Sequence, residues 1–511
     1  MHVFLFSNFI ELENYHVSNP LKKLAGQTVI YGFGSIMPRI VNYLFSLALT
    51  FIFKVPSDLA SNTEFYAYIS FVNIIFTYGM ETAFFNFVSK SDEKDKVYST
   101  ALISLFSTTF VFTSALCLFS QSLANLTDYP TNRDYVIWCA MIVATDTMMA
   151  LPLARMRSNN QAKRFAIMRI INVTVYLLVS IFYLVFCKNA YDKGEIGFLA
   201  DSYNPNVGVG YAFLAQLVAN LVTMLLMAKE FTGFAYVFDK AIWKQMISYA
   251  WPLLFLGLAG MINETFDRII LKYLLPEDIA KTELGIYGAC YKIAILMTIF
   301  ITAFRYAAEP FFFNQAADKN SKKVNALVMK YFVIFCSFLF LVTMMNIDIV
   351  KLAIYKDYHS GLGVAPILLL ANLFLGVYFN LSIWYKLTGQ TRYGAAITII
   401  GAVITLVINF GFIGKYGYMA CAWATFAAYG CMMIISYYLG QKHYPVKYNL
   451  RSMLFFFFAA LAFYFISLTY SSMENVVLKV ILNNLFVILF AWLFYKLEFS
   501  NLKNIKNQLQ S

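Results

Sequence analysis

Charged side chains are scarce in this chain: Asp, Glu, Lys and Arg make up only 13% of its 511 residues. A soluble domain uses about 25%, so this chain cannot cover its surface with charge as a water-soluble protein does. Long polar segments are lacking as well, because the largest one between apolar runs covers only residues 188–207. These two absences exclude an ordinary soluble enzyme and indicate that most of the function lies within a membrane.

Motifs for chemistry are also missing. No G-x-x-x-x-G-K-[ST] loop is present, which argues against ATP hydrolysis by this chain. No H-E-x-x-H motif occurs and the four histidines are scattered, so we predict no metal site, no cofactor and no catalytic residue. The seven cysteines have no paired spacing and are expected to pack in apolar segments. The start of the chain lacks a basic region, and we expect no cleaved signal peptide.

Apolar residues, by contrast, make up 60% of the chain, and aromatic residues 18%. We identify fourteen apolar stretches that approach or exceed the roughly 20 residues needed to cross a bilayer. Because lipid leaves no backbone group unpaired and alternating strands are nearly absent, the stretches predict an all-α, polytopic membrane protein and argue against a barrel. The stretches are 24–53, 65–88, 98–120, 135–153, 165–187, 208–228, 245–272, 285–308, 325–346, 362–385, 394–413, 417–439, 452–470 and 476–495.

The basic residues indicate the orientation of these stretches. About two thirds of the 39 Lys and Arg residues fall on one side if the stretches cross the membrane in turn. Cytoplasmic loops carry the excess of positive charge, so both termini are predicted to be cytoplasmic in a bacterial inner membrane. The net charge of +12 is thereby explained by topology, and nucleic-acid binding is not needed to explain it.

An internal repeat predicts the arrangement of the helices. The pattern Y-x-x-E-x-x-F-F-N occurs at 78–86 and again at 306–314, each time at the end of an apolar stretch and before a Lys-rich loop. Six crossings per copy keep both copies in one orientation, so we expect two six-helix lobes related by a pseudo-two-fold axis along the membrane normal. The predicted parts are a cytoplasmic N-terminus (1–23), an N-lobe (24–228), a C-lobe (229–440) and two further helices with a tail (441–511).

Ionisable residues within the stretches are the candidate functional residues, because each costs about 2.5–3.5 kcal/mol at mid-helix on insertion scales. Arg39 follows Pro38 about halfway along the first stretch. We interpret Arg39 as a cation of the passage, since a guanidinium binds phosphate oxygens in pairs and stays charged. The alternative is an Arg held for structure alone. Lys292, about a third of the way into the eighth stretch, is assigned to the same passage.

The seventh stretch ends with Glu264, Asp267, Arg268 and Lys272 at the predicted outer boundary. Four-residue spacing places Glu264, Arg268 and Lys272 on one face of a helix. Two interpretations stay open for this cluster: salt bridges at the membrane interface, or an outer gate of the passage.

Further candidates lie nearer the inner boundary and in the fourth stretch. Arg305 and Glu309 are four residues apart, and Glu309 and its repeat counterpart Glu81 are expected to make contacts that close the lobes. Asp146 lies between two threonines and is a candidate for binding a coupling proton or Na⁺. Hydrogen-bonded packing is an equal alternative for Asp146.

Several segments resemble the polysaccharide biosynthesis family, which contains O-antigen and capsule flippases, within the multidrug/oligosaccharidyl-lipid/polysaccharide exporter superfamily. These segments are LAGQTVIYGFGSIMPRIVNYL at 24–44, YGMETAFFNFVSK at 78–90, SYAWPLLFLGLAGMINETFDRIILKYLLP at 248–276 and LGIYGACYKIAILMTIF at 284–300. The resemblance implies alternating access between two lobes, with an undecaprenyl-diphosphate-linked oligosaccharide as cargo. It also implies basic residues lining the passage on helix 1 and near helices 7 and 8, where Arg39, Arg268 and Lys292 occupy comparable places.

Membrane lipids and the lipid-linked oligosaccharide are therefore the expected partners of a monomer, and the polysaccharide polymerisation machinery is a candidate partner. An exporter of drugs or metabolites from the same superfamily is the first alternative, although the first stretch lacks the acid typical of many of those exporters. A glycan polymerase or ligase is the second, although segment 188–207 is small and acidic for such an enzyme.

Overall fold

The computed structural model describes residues 19–314 and 321–510, and a long helix lies at each of the fourteen apolar stretches. The helices are α1 (Asn19–Ile52), α2 (Pro56–Thr77), α3 (Lys94–Leu118), α4 (Arg133–Ser158), α5 (Ala162–Ile181), α6 (Gly210–Leu226), α7 (Lys240–Leu274), α8 (Glu277–Asn314), α9 (Ser321–Met345), α10 (Val364–Leu381), α11 (Thr391–Tyr416), α12 (Tyr418–His443), α13 (Leu450–Leu468) and α14 (Val476–Gln510).

Most of these helices match the thickness of a membrane. Among the described residues, eleven helices are long and apolar enough to cross, and two shorter apolar segments belong to α1 and α6. The remaining helix, α2, begins nine residues before the predicted stretch. The polar residues in its first turns lower the hydropathy of this part, which is why the predicted stretch starts later than the helix. The all-α, polytopic membrane fold is therefore confirmed.

The helices form two groups that meet along one seam. In the first group α1 packs on α5, α3 on α4, and α6 on both α4 and α5; in the second, α7 packs on α11, α8 on α10, and α12 on both α10 and α11. The groups meet where α1 and α2 pack on α8, and α7 packs on α2. This arrangement agrees with two six-helix lobes, and the exact lobe boundaries at 228 and 440 stay predictions.

The last two helices are attached to α9. Glu498 of α14 is buried and forms an ion pair with the buried Lys330 of α9, and Ser452 of α13 donates a hydrogen bond of 2.7 Å to the same carboxylate. A buried carboxylate needs such partners, because an unpaired charge away from water is costly. α13 and α14 therefore dock on the C-lobe rather than form a separate body.

The two copies of the repeat differ in backbone. After α2 the chain breaks at Tyr78 and Gly79, whose φ angles are 32° and 75°, before a short helix at Met80–Val88. The second copy has Ala307 in place of Gly79 and stays helical within α8. Glycine accepts a positive φ without a steric penalty, whereas alanine favours a continuous helix. The short helix at 80–88 packs on α7, so this break brings the N-lobe against the C-lobe.

Two glycines let α2 and α8 approach closely at the seam. A Cβ at Gly285 would lie 1.9 Å from the carbonyl oxygen of Pro56, and a Cβ at Gly288 would lie 2.3 Å from the Thr63 hydroxyl. The backbone at Pro56 cannot rotate away as a side chain can. The α2–α8 contact therefore requires glycine at 285.

Gly285→Ala is expected to lower stability by about 1–3 kcal/mol, the usual cost of overpacking. Thermal unfolding of the purified protein in detergent measures the effect. Gly411→Ala is the matched control, because nothing lies within 4 Å of a Cβ there and an exposed helical Gly→Ala change stabilises by about 0.5–1 kcal/mol. Equal melting temperatures for the two variants contradict the close α2–α8 packing.

Candidate functional site

A polar stripe runs along α1. Arg39, Asn42 and Ser46 lie three and seven residues apart, which places them on one face of the helix. Exposed apolar residues, including Leu44 and Phe51, occupy the opposite face and are suited to contact lipid. Arg39 is exposed, and no described residue is paired with it. Arg39 therefore lies on the face of α1 opposite these exposed apolar residues.

Lys292 of α8 lies against this stripe. Its Nζ atom donates a hydrogen bond of 2.7 Å to the backbone oxygen of Ser46, and its side chain is partly exposed. Arg39 is seven residues before Ser46, or about 10 Å along the helix toward the predicted cytoplasmic side. The structure thus places Arg39 and Lys292 on the same seam between the lobes.

Arg268 of α7 adds a third cation. Its guanidinium lies over the ring of Tyr291, 4.0 Å from the centroid, and its charge acts on the neighbouring Lys292. Glu264, one turn earlier on α7, is exposed. We name Arg39, Arg268 and Lys292 the cationic seam; two of its members come from the C-lobe and one from the N-lobe. Three cations in a region of few charges can bind a multiply charged anion.

Asp267 has a different environment from its neighbours. It is buried and accepts hydrogen bonds from the Tyr287 hydroxyl and from the backbone N–H of Arg268, the latter at 2.9 Å. Tyr287 belongs to α8, so its bond to Asp267 joins α7 to α8 inside the C-lobe. Among the described residues, Asp267 makes no hydrogen bond or ion pair with the N-lobe.

Lys272 closes the seam on the predicted periplasmic side. Its side chain is only 3% exposed, and its Nζ atom lies 3.2 Å from Glu64 of α2, which is 0% exposed. Lys272 also donates to the carbonyl of Thr127, and Tyr68 donates a hydrogen bond of 2.8 Å to Glu64. The Tyr68 hydroxyl is also bonded to that of Tyr273 at 2.8 Å. We name these five residues the outer seal, because they bind the two lobes together.

Glu64 is a functional candidate that is not among the residues predicted from the sequence. The predicted second stretch begins at residue 65 and places Glu64 outside the membrane, whereas α2 begins at Pro56. The four-residue spacing from Glu64 to Tyr68 was the available signal. The partner Lys272 lies 208 residues away, and no local pattern connects the two.

Contacts near the opposite end of the seam differ from the prediction. Glu81 pairs with Arg157 of α4, which belongs to the same lobe, although the short helix that carries Glu81 packs on α7. The start of α7 is instead joined to the N-lobe by the ion pair of Lys96 with Asp239, at 3.1 Å, and by a hydrogen bond from Trp243 to Ser104 of α3. Hydrogen bonds from the Ile242 N–H and from Lys96 lower the pKa of Asp239, which caps α7.

The other candidates lie within single lobes. Arg305 stacks over Phe379 of α10 at 4.8 Å, and the side chain of its predicted partner Glu309 lies outside the described residues. Asp146 accepts a hydrogen bond of 2.9 Å from Asn220 of α6. In the part of the chain that the structure describes, no group of three or more His, Cys, Asp or Glu side chains is suited to a metal ion.

Comparison with known proteins identifies the family. The polysaccharide biosynthesis protein family matches residues 28–316, which include most of α1, the outer seal and all three cations of the seam. The chain belongs to this family. No curated protein sequence matches it.

Solved structures share the fold of this polysaccharide biosynthesis protein. Lipid II flippase MurJ in an inward closed conformation aligns over 92% of this chain and 99% of its own, with a TM-score of 0.67 and 14% identity. A multidrug resistance MATE family transporter of the MOP superfamily aligns over 81% of this chain and 94% of its own when inward-facing, and over 83% and 96% when outward-facing. The TM-scores are 0.57 and 0.58, each at 14% identity. These likenesses show that the chain shares its fold with these proteins.

Proposed function

We propose that this protein is a flippase that moves undecaprenyl-diphosphate-linked oligosaccharide repeat units across a bacterial inner membrane, with both termini in the cytoplasm. The repeat units would belong to an O-antigen, a capsule or an exopolysaccharide. The observation that supports the proposal is the cationic seam. Lys292 of the C-lobe donates to Ser46 of α1, Arg268 lies beside Lys292, and Arg39 shares a face of α1 with Ser46.

The seam fits the chemistry of such a cargo. A diphosphate carries negative charges that lipid cannot solvate, and charge-assisted hydrogen bonds from Arg and Lys replace its water. The sugars pass through the hydrated space between the lobes, while the polyprenyl tail remains in the lipid. Arg39, nearer the predicted cytoplasmic side, meets the diphosphate first, and Lys292 and Arg268 receive it about two helical turns further on.

The contacts that close the seam on its predicted periplasmic side support a mechanism of alternating access. The outer seal holds the lobes together on the predicted periplasmic side, where Glu64 and Lys272 are buried as an ion pair. Release of the cargo on that side requires this pair to separate. Two states are needed, because a passage open at both ends would leak ions.

An ion-coupled drug or metabolite exporter is the second candidate, since MATE transporters share the fold. The absence of an acid in the exposed polar stripe of α1 argues against it, because a cationic drug needs a carboxylate and the stripe presents Arg39. Asp146 remains the candidate for a coupling ion in either case, with Asn220 as its described neighbour.

Deletion of the gene tests the proposal. We expect lipid-linked repeat units to accumulate on the cytoplasmic leaflet and surface glycan to disappear, as measured by labelling of intact and inverted membrane vesicles with a lectin. Expression of the intact chain restores both. Normal surface glycan together with increased sensitivity to drugs supports the exporter instead, and loss of the repeat units themselves indicates a role in synthesis.

A further inference from the structure

A cavity lies outside the outer seal, on the predicted periplasmic side. It has a volume of about 940 Å³ and is separate from the cationic seam. Sites for small molecules usually measure about 300–1,000 Å³, so this space is large enough for several sugar rings. We name it the vestibule; its walls come from the end of α1, the start of α2, the start of α4 with the loop before it, residues 184–192 after α5, the segment before α6 and Lys281 of α8.

The vestibule lies directly against the outer seal. Ser61, at its edge, is one turn of α2 before Glu64 of the seal. Tyr129 lines the vestibule, and its ring lies 4.5 Å from Nζ of Lys272 and 4.8 Å from Nζ of Lys281. Any cargo that passes the seal therefore meets the vestibule first.

The charges of the vestibule are mixed, unlike those of the seam. Its lining includes three lysines and two carboxylates, and one lysine is already paired, since Lys188 donates to Asp192. Asp58 lies on the opposite wall near the positive charge of Lys188. A nearly balanced set of donors and acceptors is poorly suited to a lone diphosphate. It suits hydroxyl groups, each of which donates and accepts hydrogen bonds.

Aromatic rings and fixed backbone complete the walls. Tyr203 lines the vestibule and stacks on Tyr211, with ring centroids 5.3 Å apart, and Tyr211 stacks on Tyr183 at 4.6 Å. Asn132 donates a hydrogen bond of 3.0 Å to the backbone oxygen of Asn206, which holds the segment before α6 in place. The faces of sugar rings carry C–H groups that pack on such aromatic rings, and a preformed site binds with a smaller loss of entropy.

We propose that the vestibule is an exit site that binds the hydroxyl-rich sugar units of the cargo after they pass the outer seal. This inference rests on the proposed function and adds a second binding site to it. Asp58 and Asn206 accept and donate hydrogen bonds to hydroxyl groups, and the tyrosine walls contact the ring faces. Because the site lies outside the seal, it is accessible to soluble sugar while the lobes are closed.

Binding of a soluble sugar to the purified full-length protein tests the inference. The probe is the repeat-unit oligosaccharide released by mild acid from the cell's own lipid-linked intermediates, measured by saturation-transfer difference NMR. We expect Asp58→Ala combined with Asn206→Ala to weaken binding at least tenfold, and Ser57→Trp to abolish it by filling the space. Asp201→Ala is the matched control, because Asp201 is exposed nearby without lining the vestibule.

The outcomes separate this inference from the proposed function. No binding of the oligosaccharide to the folded wild-type protein overturns the exit site, and so does equal binding to the vestibule variants and the control. Displacement of the sugar by inorganic diphosphate shows a phosphate site and also overturns it. If surface glycan still depends on the gene in any of these cases, the exit site fails while the flippase proposal stands.

Discussion

Replacing Arg39 by Glu is expected to abolish surface glycan while the protein still reaches the membrane. A carboxylate at this position repels the diphosphate of the cargo at the first of the three cations. Arg39→Gln removes the attraction alone. Hydrogen bonds to charged groups contribute about 1.5–3 kcal/mol, which corresponds to a loss of roughly 10- to 100-fold in transport. Quantitative staining of surface glycan in a deletion strain that expresses each variant measures the effect.

Controls for Arg39 address charge and folding separately. Arg39→Lys keeps the charge and loses the planar fork, so we expect partial activity. Arg392→Gln removes an exposed Arg at the start of α11, away from the seam, and is expected to retain normal glycan. Membrane content of each variant is measured by immunoblot. Normal glycan in cells that express Arg39→Glu removes the role assigned to Arg39.

Breaking the outer seal is the second change with a large expected effect. Lys272→Met leaves Glu64 buried without its cation, and loss of one member of a buried ion pair costs about 3–5 kcal/mol. This cost falls on the state that is closed toward the periplasm, so the population shifts toward the open state by roughly two to four powers of ten. A membrane-impermeant maleimide added from the periplasm should then label Asn42→Cys, which lies deep in the seam.

The double variant separates gating from misfolding. Glu64→Leu with Lys272→Met replaces the pair by apolar groups, which is often neutral for stability, so we expect labelling at position 42 to fall back toward the wild-type value. Lys193→Met is the control, because Lys193 pairs with Glu195 at 3.8 Å on the exposed surface of the same side. Exposed pairs contribute about 0–1 kcal/mol. Equal labelling of wild type and Lys272→Met contradicts the seal.

The fold was largely predictable because lipid simplifies the problem. Each apolar stretch must form a helix, so the positions of fourteen helices follow from hydropathy alone. Residues at mid-membrane also stand out, and Arg39 and Lys292 were identified as candidates by their depth alone. The start of α2 was missed because its polar residues, among them Ser57, Asp58 and Glu64, resemble a loop in hydropathy. These residues face the vestibule and the outer seal.

Partners of the charged residues could not be predicted from the sequence. The four-residue spacing of Glu264, Arg268 and Lys272 suggested contacts along α7, whereas Lys272 pairs with Glu64 across the seam. Glu81 likewise pairs with Arg157 of α4. Helical spacing reports only which residues share a face. Which residue of another helix becomes the partner depends on how the helices and lobes pack. Helical spacing contains no information on the distance between residues of different helices.

Reconstituted transport tests the central claim that the cationic seam carries an anionic lipid headgroup across the membrane. The purified protein is placed in vesicles with a fluorescent undecaprenyl-diphosphate-linked oligosaccharide, and a membrane-impermeant quencher reports its leaflet. We predict exchange between leaflets with the wild-type protein, and a loss of at least tenfold with Arg39→Gln or Lys292→Gln. The claim is contradicted if the variant that lacks both cations exchanges the lipid at the wild-type rate. It is also contradicted if the folded wild-type protein shows no exchange under any ion gradient.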